Sequence, residues 1–138
     1  MTASDRTGIA YLDSSAVVKL IVGEPESHSL ADHLETCDGD SLVTSALTRI
    51  EVSRAVRRQV GDSEDQQIAA VLSAIGIISI DAEVIHLAER LQPPTLRSLD
   101  ALHIATAKTI GAPVAFITYD TRCAAAATAN GLAVLAPS

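Results

Sequence analysis

The sequence predicts an α/β fold, a three-layer sandwich in which helices flank both faces of a central parallel sheet. Short continuous apolar runs alternate with longer helical segments, as is typical of strands buried on both faces of a parallel sheet. The hydrophobic content is 48%, yet the chain holds only two Tyr, one Phe and no Trp, so the core must be aliphatic. At 138 residues, we expect a single domain over residues 1–138.

The N-terminal half is predicted to begin with an apolar strand that ends in a carboxylate, Asp13, and is followed directly by a helix. Ser63 and Gln66 have the spacing of a capping box at the start of a later helix. The predicted elements of this half are strand 9–13, helix 15–22, helix 26–36, strand 41–44, helix 46–59 and helix 63–75.

In the C-terminal half, the apolar runs 77–80 and 114–117 predict strands, and Ser98 is a plausible N-cap for a helix. The predicted elements here are strand 77–80, helix 82–91, helix 98–110, strand 113–117, helix 121–130 and strand 132–135. Five glycines each follow a helical segment, where a left-handed C-cap favours glycine; they are Gly23, Gly61, Gly76, Gly111 and Gly131.

The composition limits the class of protein. A net charge of −7 speaks against avid, non-specific binding of nucleic acid, but it leaves local binding through a metal or a small basic patch open. It also suggests a basic partner or a cluster of acids. Without a signal peptide or a membrane span, and with Cys37 and Cys123 far apart, we expect a cytoplasmic protein with reduced cysteines and no membrane association.

Two aspartates follow predicted strands directly. Asp13 ends the first strand, and Asp120 comes after the strand 113–117. Ligands of open parallel sheets bind beyond the carboxyl ends of the strands, so both positions suit chemistry. An ordinary N-cap of the following helix is the alternative for each aspartate.

Two further acids are predicted near the starts of helices. Glu51 follows the second strand, and an ion pair with Arg54 or Arg58 on the same helical face is its alternative explanation. Asp100 lies in the first turn of helix 98–110, where a negative charge is favoured by the helix dipole alone. His103, one turn later, is predicted to be a packing or hydrogen-bonding residue rather than a ligand or base.

Together these acids predict a metal site. Four carboxylates in a half-buried cleft cannot all stay ionised without a cation, because like charges and burial raise carboxyl pKa values. Oxygen-only ligands favour Mg²⁺ or Mn²⁺, and such a metal can activate water and orient a phosphodiester. The four carboxylates expected around the cation are those of Asp13, Glu51, Asp100 and Asp120.

The chain resembles the PIN-domain ribonucleases, and most closely the VapC-type toxins of toxin–antitoxin pairs. The resemblance spans residues 9–135 and depends on four motifs: Tyr-Leu-Asp-Ser-Ser-Ala at 11–16, Thr44-Ser followed by Glu51, Arg-Ser-Leu-Asp-Ala-Leu-His at 97–103, and Thr-Tyr-Asp-Thr-Arg at 118–122. It implies a sheet of strand order 3-2-1-4-5 and Mg²⁺- or Mn²⁺-dependent endonucleolytic cleavage of RNA by a metal-activated water. It also implies a homodimer and a cognate VapB-type antitoxin whose tail blocks the acidic cleft.

Substrate contacts are predicted from the residues beside these motifs. Arg122 is the candidate for a phosphate near the metal, with Ser14 and Thr118 as neighbouring hydroxyls. Arg54, Arg57 and Arg58 form a basic cluster that either contacts RNA phosphates or only solvates an exposed helix face; we favour solvation. Low aromatic content argues against recognition by base stacking.

Three other classes compete with this reading. A dehalogenase-type phosphatase would have a second acid two residues after the first, where this chain has Ser15. A receiver module would have a lysine late in the chain after a strand, whereas Lys108 lies within a predicted helix. A PIN-like fold kept only for binding a partner is harder to separate, although such a relative is expected to have lost at least one acid.

Overall fold

The computed structural model describes residues 8–38 and 41–138, so residues 1–7 of the predicted domain lie outside the described part of the chain. The strands are β1 (Ile9–Leu12), β2 (Leu42–Ser45), β3 (Gly76–Ile78), β4 (Val114–Ile117) and β5 (Ala133–Leu135). The helices are α1 (Ser14–Lys19), α2 (Ser27–Glu35), α3 (Ala46–Val60), α4 (Asp65–Ser73), α5 (Ala82–Arg90), α6 (Ser98–Lys108) and α7 (Thr121–Ala129). A 3₁₀ turn, Gly61–Glu64, joins α3 to α4.

All five strands are parallel, and their order is β3-β2-β1-β4-β5, which confirms the predicted fold class and strand order. The first strand is therefore central. Leu12 of β1 pairs with Ile117 of β4, and the backbone N–H of Asp13 donates to the Ile117 carbonyl at 3.1 Å. The two strand ends that carry the predicted aspartates consequently lie side by side.

Side chains of alternate strand residues enter two separate cores, as the period of two in a strand requires. Leu12 and Ile117 belong to the core beneath α1, α2, α3 and α4. Tyr11 and Phe116 belong to the core beneath α5, α6 and α7, where their rings stack at 5.3 Å between centroids. Apart from this pair, both cores consist of aliphatic residues and one cysteine, Cys123.

Several predicted helix ends were wrong. Helix α1 ends at Lys19 because the N–H groups of Leu20 and Ile21 bond three residues back, which tightens the last turn. The capping box at Ser63 is absent, since the 3₁₀ turn occupies 61–64 and α4 begins without a side-chain cap. The N-cap of α6 is Arg97 rather than Ser98, which is already helical.

Three of the five predicted glycine caps have the required positive φ: Gly61, Gly111 and Gly131. Gly23 and Gly76 do not, so the prediction was wrong for both. Gly76 is the first residue of β3, where an added Cβ would lie 3.4 Å from the Leu42 carbonyl oxygen and the Val43 side chain. These distances are ordinary van der Waals contacts, so neither a turn nor a close approach of strand β2 requires glycine at this position.

Asp81 provides a structural N-cap whose loss is predictable. Its side chain accepts a hydrogen bond from the Val84 N–H at 2.9 Å and contacts none of the four predicted site acids within the described residues. We expect Asp81→Ala to lower the free energy of unfolding by about 1 kcal/mol. Urea denaturation measures this; an unchanged midpoint and slope would show that the cap contributes nothing.

Candidate active site

Asp13 is the most deeply placed of the predicted acids. Its side chain is 3% exposed; Oδ1 accepts from the Ser15 hydroxyl at 2.7 Å and the Ala16 N–H at 3.1 Å. Oδ2 accepts from the Thr118 hydroxyl at 2.5 Å. Burial raises the pKa of Asp13, and the two hydroxyls oppose that rise in part. Asp13 is also the N-cap of α1, as its alternative explanation predicted. Capping the helix and lying in the candidate site are compatible roles for this residue.

Asp100 and Asp120 are joined by one guanidinium that the sequence analysis did not single out. Arg97 donates from Nε to Asp100 Oδ2 at 3.0 Å and from Nη2 to Asp120 Oδ2 at 2.8 Å. Hydrogen bonding to Asp100, and the negative charge of both carboxylates, raise the pKa of Arg97. The i,i+3 spacing of Arg97 and Asp100 was the only sequence signal for this pair.

Asp120 is also the N-cap of α7, as its alternative explanation required. Burial raises the pKa of its carboxyl, but the N–H groups of Cys123 and Arg122, with Arg97, outweigh burial and lower the pKa overall. The Asp120 N–H donates to the Thr118 hydroxyl oxygen at 3.1 Å. A chain of contacts therefore runs from Asp13 through Thr118, Asp120 and Arg97 to Asp100.

Glu51 does not form the ion pair with Arg54 or Arg58 that was its alternative; its described partner is His103. Glu51 Oε1 lies 2.7 Å from His103 Nε2, and the other ring nitrogen, Nδ1, lies 2.7 Å from the Tyr11 hydroxyl. His103 is 1% exposed and hydrogen-bonded at both nitrogens, as predicted for a hydrogen-bonding residue.

Cys123 lies in the electrostatic field of three of the acids. Burial raises the pKa of the Cys123 thiol, and the charges of Asp13, Asp100 and Asp120 raise it further. One side chain in the first turn of α7 is therefore within electrostatic reach of all three. Cys37 and Cys123 are both free thiols.

The donor set suits a hard divalent cation, although the residues are not arranged as a ready coordination shell. Within residues 8–38 and 41–138, no three His, Cys, Asp or Glu side chains are grouped closely enough to hold a metal. Arg97 is hydrogen-bonded to both Asp100 and Asp120, and His103 is hydrogen-bonded to Glu51. The donors are all carboxylate oxygens, and no lysine or arginine of the described chain pairs with buried Asp13, so the residues fit Mg²⁺ or Mn²⁺.

Two clefts border the acids: Asp100 lines one of them and Glu51 lines the other. One, of about 530 Å³, is lined by Arg97, Asp100 and Arg122, together with Leu96 and three alanines of α7, Ala125, Ala126 and Ala129. The other, of about 330 Å³, is lined by Ser14, Glu51 and Lys19 among others. Two predicted substrate-binding residues, Arg122 and Ser14, therefore border different clefts.

The remaining predicted residues have other environments. Thr118, expected beside the substrate, is 1% exposed, and its hydroxyl contacts Asp13 and the Asp120 N–H instead of the cleft surface. The basic cluster of α3 is exposed, and Arg57 pairs with Asp62 and Asp65 at 3.7 and 3.2 Å. These ion pairs favour the solvated-face interpretation for Arg57.

The raised pKa of Asp13 predicts an unusual pH dependence of stability in the presence of a chelator. A carboxyl whose folded-state pKa exceeds its unfolded value costs the folded state stability as pH rises from about 3.8 through the raised pKa. Asp13→Asn removes that cost, so we expect the variant to gain stability over the parent as pH increases across this window. Thermal unfolding from pH 3.5 to 7.5 measures the difference; a constant difference at all pH values would contradict it.

Within the described residues, no helix combines the length and the apolarity needed to span a bilayer.

The PIN-domain family model matches residues 10–129. Ribonuclease VapC35 of Mycobacterium tuberculosis is 46% identical over 92% of this chain and 96% of its own length. The crystal structure of M. tuberculosis VapC20, titled a Sarcin-Ricin loop cleaving toxin, superposes with a TM-score of 0.73 at 17% identity, over 93% of this chain and 99% of that one.

A toxin–antitoxin complex from Klebsiella pneumoniae superposes with a TM-score of 0.71 at 24% identity, over 94% of this chain and 98% of that one. At these identities the two solved structures support the fold, whereas the family model and VapC35 cover the acids themselves. The chain therefore belongs to the PIN-domain family, within which it is similar to the VapC ribonucleases.

Proposed function

We propose that this protein is a VapC-type toxin, an endoribonuclease that hydrolyses RNA phosphodiester bonds with Mg²⁺ or Mn²⁺. The observation that carries the proposal is the run of contacts from Asp13 through Thr118, Asp120 and Arg97 to Asp100. It gathers acids from three distant parts of the chain at the carboxyl edge of the sheet, where α/β folds bind ligands. Membership of the PIN family supports the same conclusion.

Asp13, Glu51 and Asp100 would hold the cation, directly or through water, and Asp120 would be a further ligand or would orient water. Once bound, such a cation lowers the pKa of coordinated water and neutralises charge that develops on phosphate oxygens. Ser15 and Thr118 hold the Asp13 carboxylate in one orientation with hydroxyl hydrogen bonds. Arg122 and Ser14 would contact the RNA from the two clefts that they line.

The acidity of the site explains why a cation is required. A cleft whose acids are only partly neutralised repels a polyanion, and a divalent ion reverses the local sign. The chain as a whole carries −7 and so does not attract RNA by itself. Binding of RNA is therefore expected to depend on the metal as well as on Arg122.

A VapB-type antitoxin is the proposed partner, and the similarity of the fold to that of a toxin–antitoxin complex supports a partner of the antitoxin class. Arg97 demonstrates within this chain how a guanidinium fits between Asp100 and Asp120. An antitoxin tail that presents an arginine would use the same fork-shaped geometry against the site acids. We also include in the proposal a homodimer, which light scattering of the purified protein tests, and a cytoplasmic site of action.

Sequencing of RNA 5′ ends after induction tests the proposed function, with a parallel digestion of purified RNA in Mg²⁺ and in chelator. We expect a small set of new cleavage sites that chelator abolishes. The alternative is a non-catalytic module, which Arg97 favours because it neutralises two acids without metal. That alternative predicts no new ends in either condition, and it would then replace the nuclease assignment.

A further inference from the structure

The contact between His103 and Glu51 joins two helices that are distant in sequence. His103 lies in α6 and Glu51 in α3, and their 2.7 Å hydrogen bond spans 52 residues of chain. The His103 side chain is 2% exposed, whereas that of Glu51 is 19% exposed and lines the smaller cleft. The buried imidazole thus reaches a carboxylate that borders the candidate active site.

The hydrogen-bond partners of His103 constrain which of its ring nitrogens carries a proton. An ionised carboxylate only accepts hydrogen bonds, so His103 Nε2 must donate to Glu51. Nδ1 of a neutral ring would then accept from the Tyr11 hydroxyl, which lies 2.7 Å away, whereas Nδ1 of a doubly protonated ring would donate to the hydroxyl oxygen.

Tyr11 is itself held firmly. It is fully buried in the central strand β1, and its ring stacks on Phe116 of β4 with an angle of 6° between the planes. The hydrogen-bonded relay Tyr11–His103–Glu51 therefore begins at a buried, stacked ring of the central strand and ends at a carboxylate on helix α3. Among the described residues, no donor contacts Glu51 Oε2, which leaves that oxygen available to a ligand.

We propose that His103, oriented by the Tyr11 hydroxyl, is a positioning residue that fixes Glu51 with Oε1 occupied and Oε2 free for the cation. The proposal rests on the proposed function, because it assigns a purpose to Glu51 as a metal ligand. Hydrogen-bonded partners of ligating side chains orient the ligand and commonly change metal affinity by roughly 10–100-fold when removed. A histidine needed only for packing would not affect metal affinity in this selective way.

Two amide replacements separate positioning from packing. His103→Gln places an amide N–H near the position of Nε2 and so keeps the contact with Glu51, while it loses the contact with Tyr11. His103→Asn keeps a group near Nδ1 for Tyr11 and loses the contact with Glu51. Both bury one amide in place of the ring, so both are expected to lower the melting temperature.

The readout is the affinity of the whole protein for Mn²⁺. It is measured from the electron paramagnetic resonance signal of the Mn²⁺ that remains free in solution. We expect the dissociation constant to rise roughly 10–100-fold in His103→Asn and only a few-fold in His103→Gln. Equal affinities in the two variants would overturn the inference, whatever their melting temperatures.

Tyr11→Phe provides the test if neither amide variant folds, because it removes a single oxygen and keeps the stacked ring. Without the phenol donor the imidazole proton can move to Nδ1, so we expect weaker Mn²⁺ binding; unchanged affinity would overturn the inference. If the parent cleaves RNA and binds Mn²⁺ but the variants match it, this inference alone fails. If the parent binds no Mn²⁺, the proposed function and the inference fail together.

Discussion

Asp13→Asn is expected to abolish RNA cleavage and to remove growth arrest in cells that make the protein without an antitoxin. Asp13 is buried at the end of the central strand and has no cationic partner among the described residues. An amide has nearly the same shape but cannot balance the charge of a divalent cation. We expect activity to fall by more than the roughly 10–100-fold that loss of an outer hydrogen-bond partner costs. Digestion of purified RNA at saturating Mg²⁺ measures this, together with colony counts after induction.

Asp81→Asn is the matched control for this experiment. Asp81 and Asp13 are both N-caps that accept a hydrogen bond from an N–H three residues later, but Asp81 caps α5. Asparagine caps about as well as aspartate, so the control is expected to keep both its stability and its activity. If Asp13→Asn remained as toxic and as abundant as the parent, Asp13 would have no role in the reaction.

Arg97→Gln is expected to lower the stability of the metal-free protein but to raise its affinity for Mn²⁺. Without metal, the variant leaves Asp100 and Asp120 without the guanidinium that they share. Its free energy of unfolding should fall by no more than about 1 kcal/mol, because Arg97 is 62% exposed and solvent screens both ion pairs. With metal, the guanidinium no longer competes for the two carboxylates, so Mn²⁺ should bind on the order of tenfold more tightly. Tighter binding adds to the stability that the metal confers, so the melting shift caused by Mn²⁺ should grow.

Arg57→Gln is the control, since Arg57 is a similarly exposed arginine, at 52%, that pairs with two aspartates outside the site. It should change neither Mn²⁺ affinity nor the metal-induced melting shift. An Arg97→Gln protein that binds Mn²⁺ more weakly than the parent would mean that Arg97 helps to assemble the site instead of competing for it.

The placement of Asp13 and Asp120 could be predicted from sequence because both follow apolar strand runs, and strand ends of a parallel sheet share one edge. Strand order came from the family resemblance, since the apolar runs alone do not say which strand is central. The Tyr11–His103–Glu51 relay could not be predicted from spacing. It depends on how α3 and α6 pack around the sheet, and their contact residues lie 52 positions apart.

The bridge that Arg97 forms between Asp100 and Asp120 could not be predicted for a related reason. Its spacing to Asp100 is local, but the second contact, to Asp120, spans 23 residues and requires α6 and α7 to begin near each other. The two wrong glycine caps show a similar limit. A glycine that begins a strand without a positive φ, as Gly76 does, has the same sequence signature as one that ends a helix.

Mn²⁺ titration of the parent and of the amide variants Asp13→Asn, Glu51→Gln, Asp100→Asn and Asp120→Asn tests the central claim most directly. If carboxylates from four separate segments hold one cation, the parent binds Mn²⁺, and each of these single changes weakens binding, whereas Asp81→Asn does not. Absence of binding by the parent, or parental affinity in the Asp13, Glu51 and Asp100 variants, would show that these acids do not form a shared metal site.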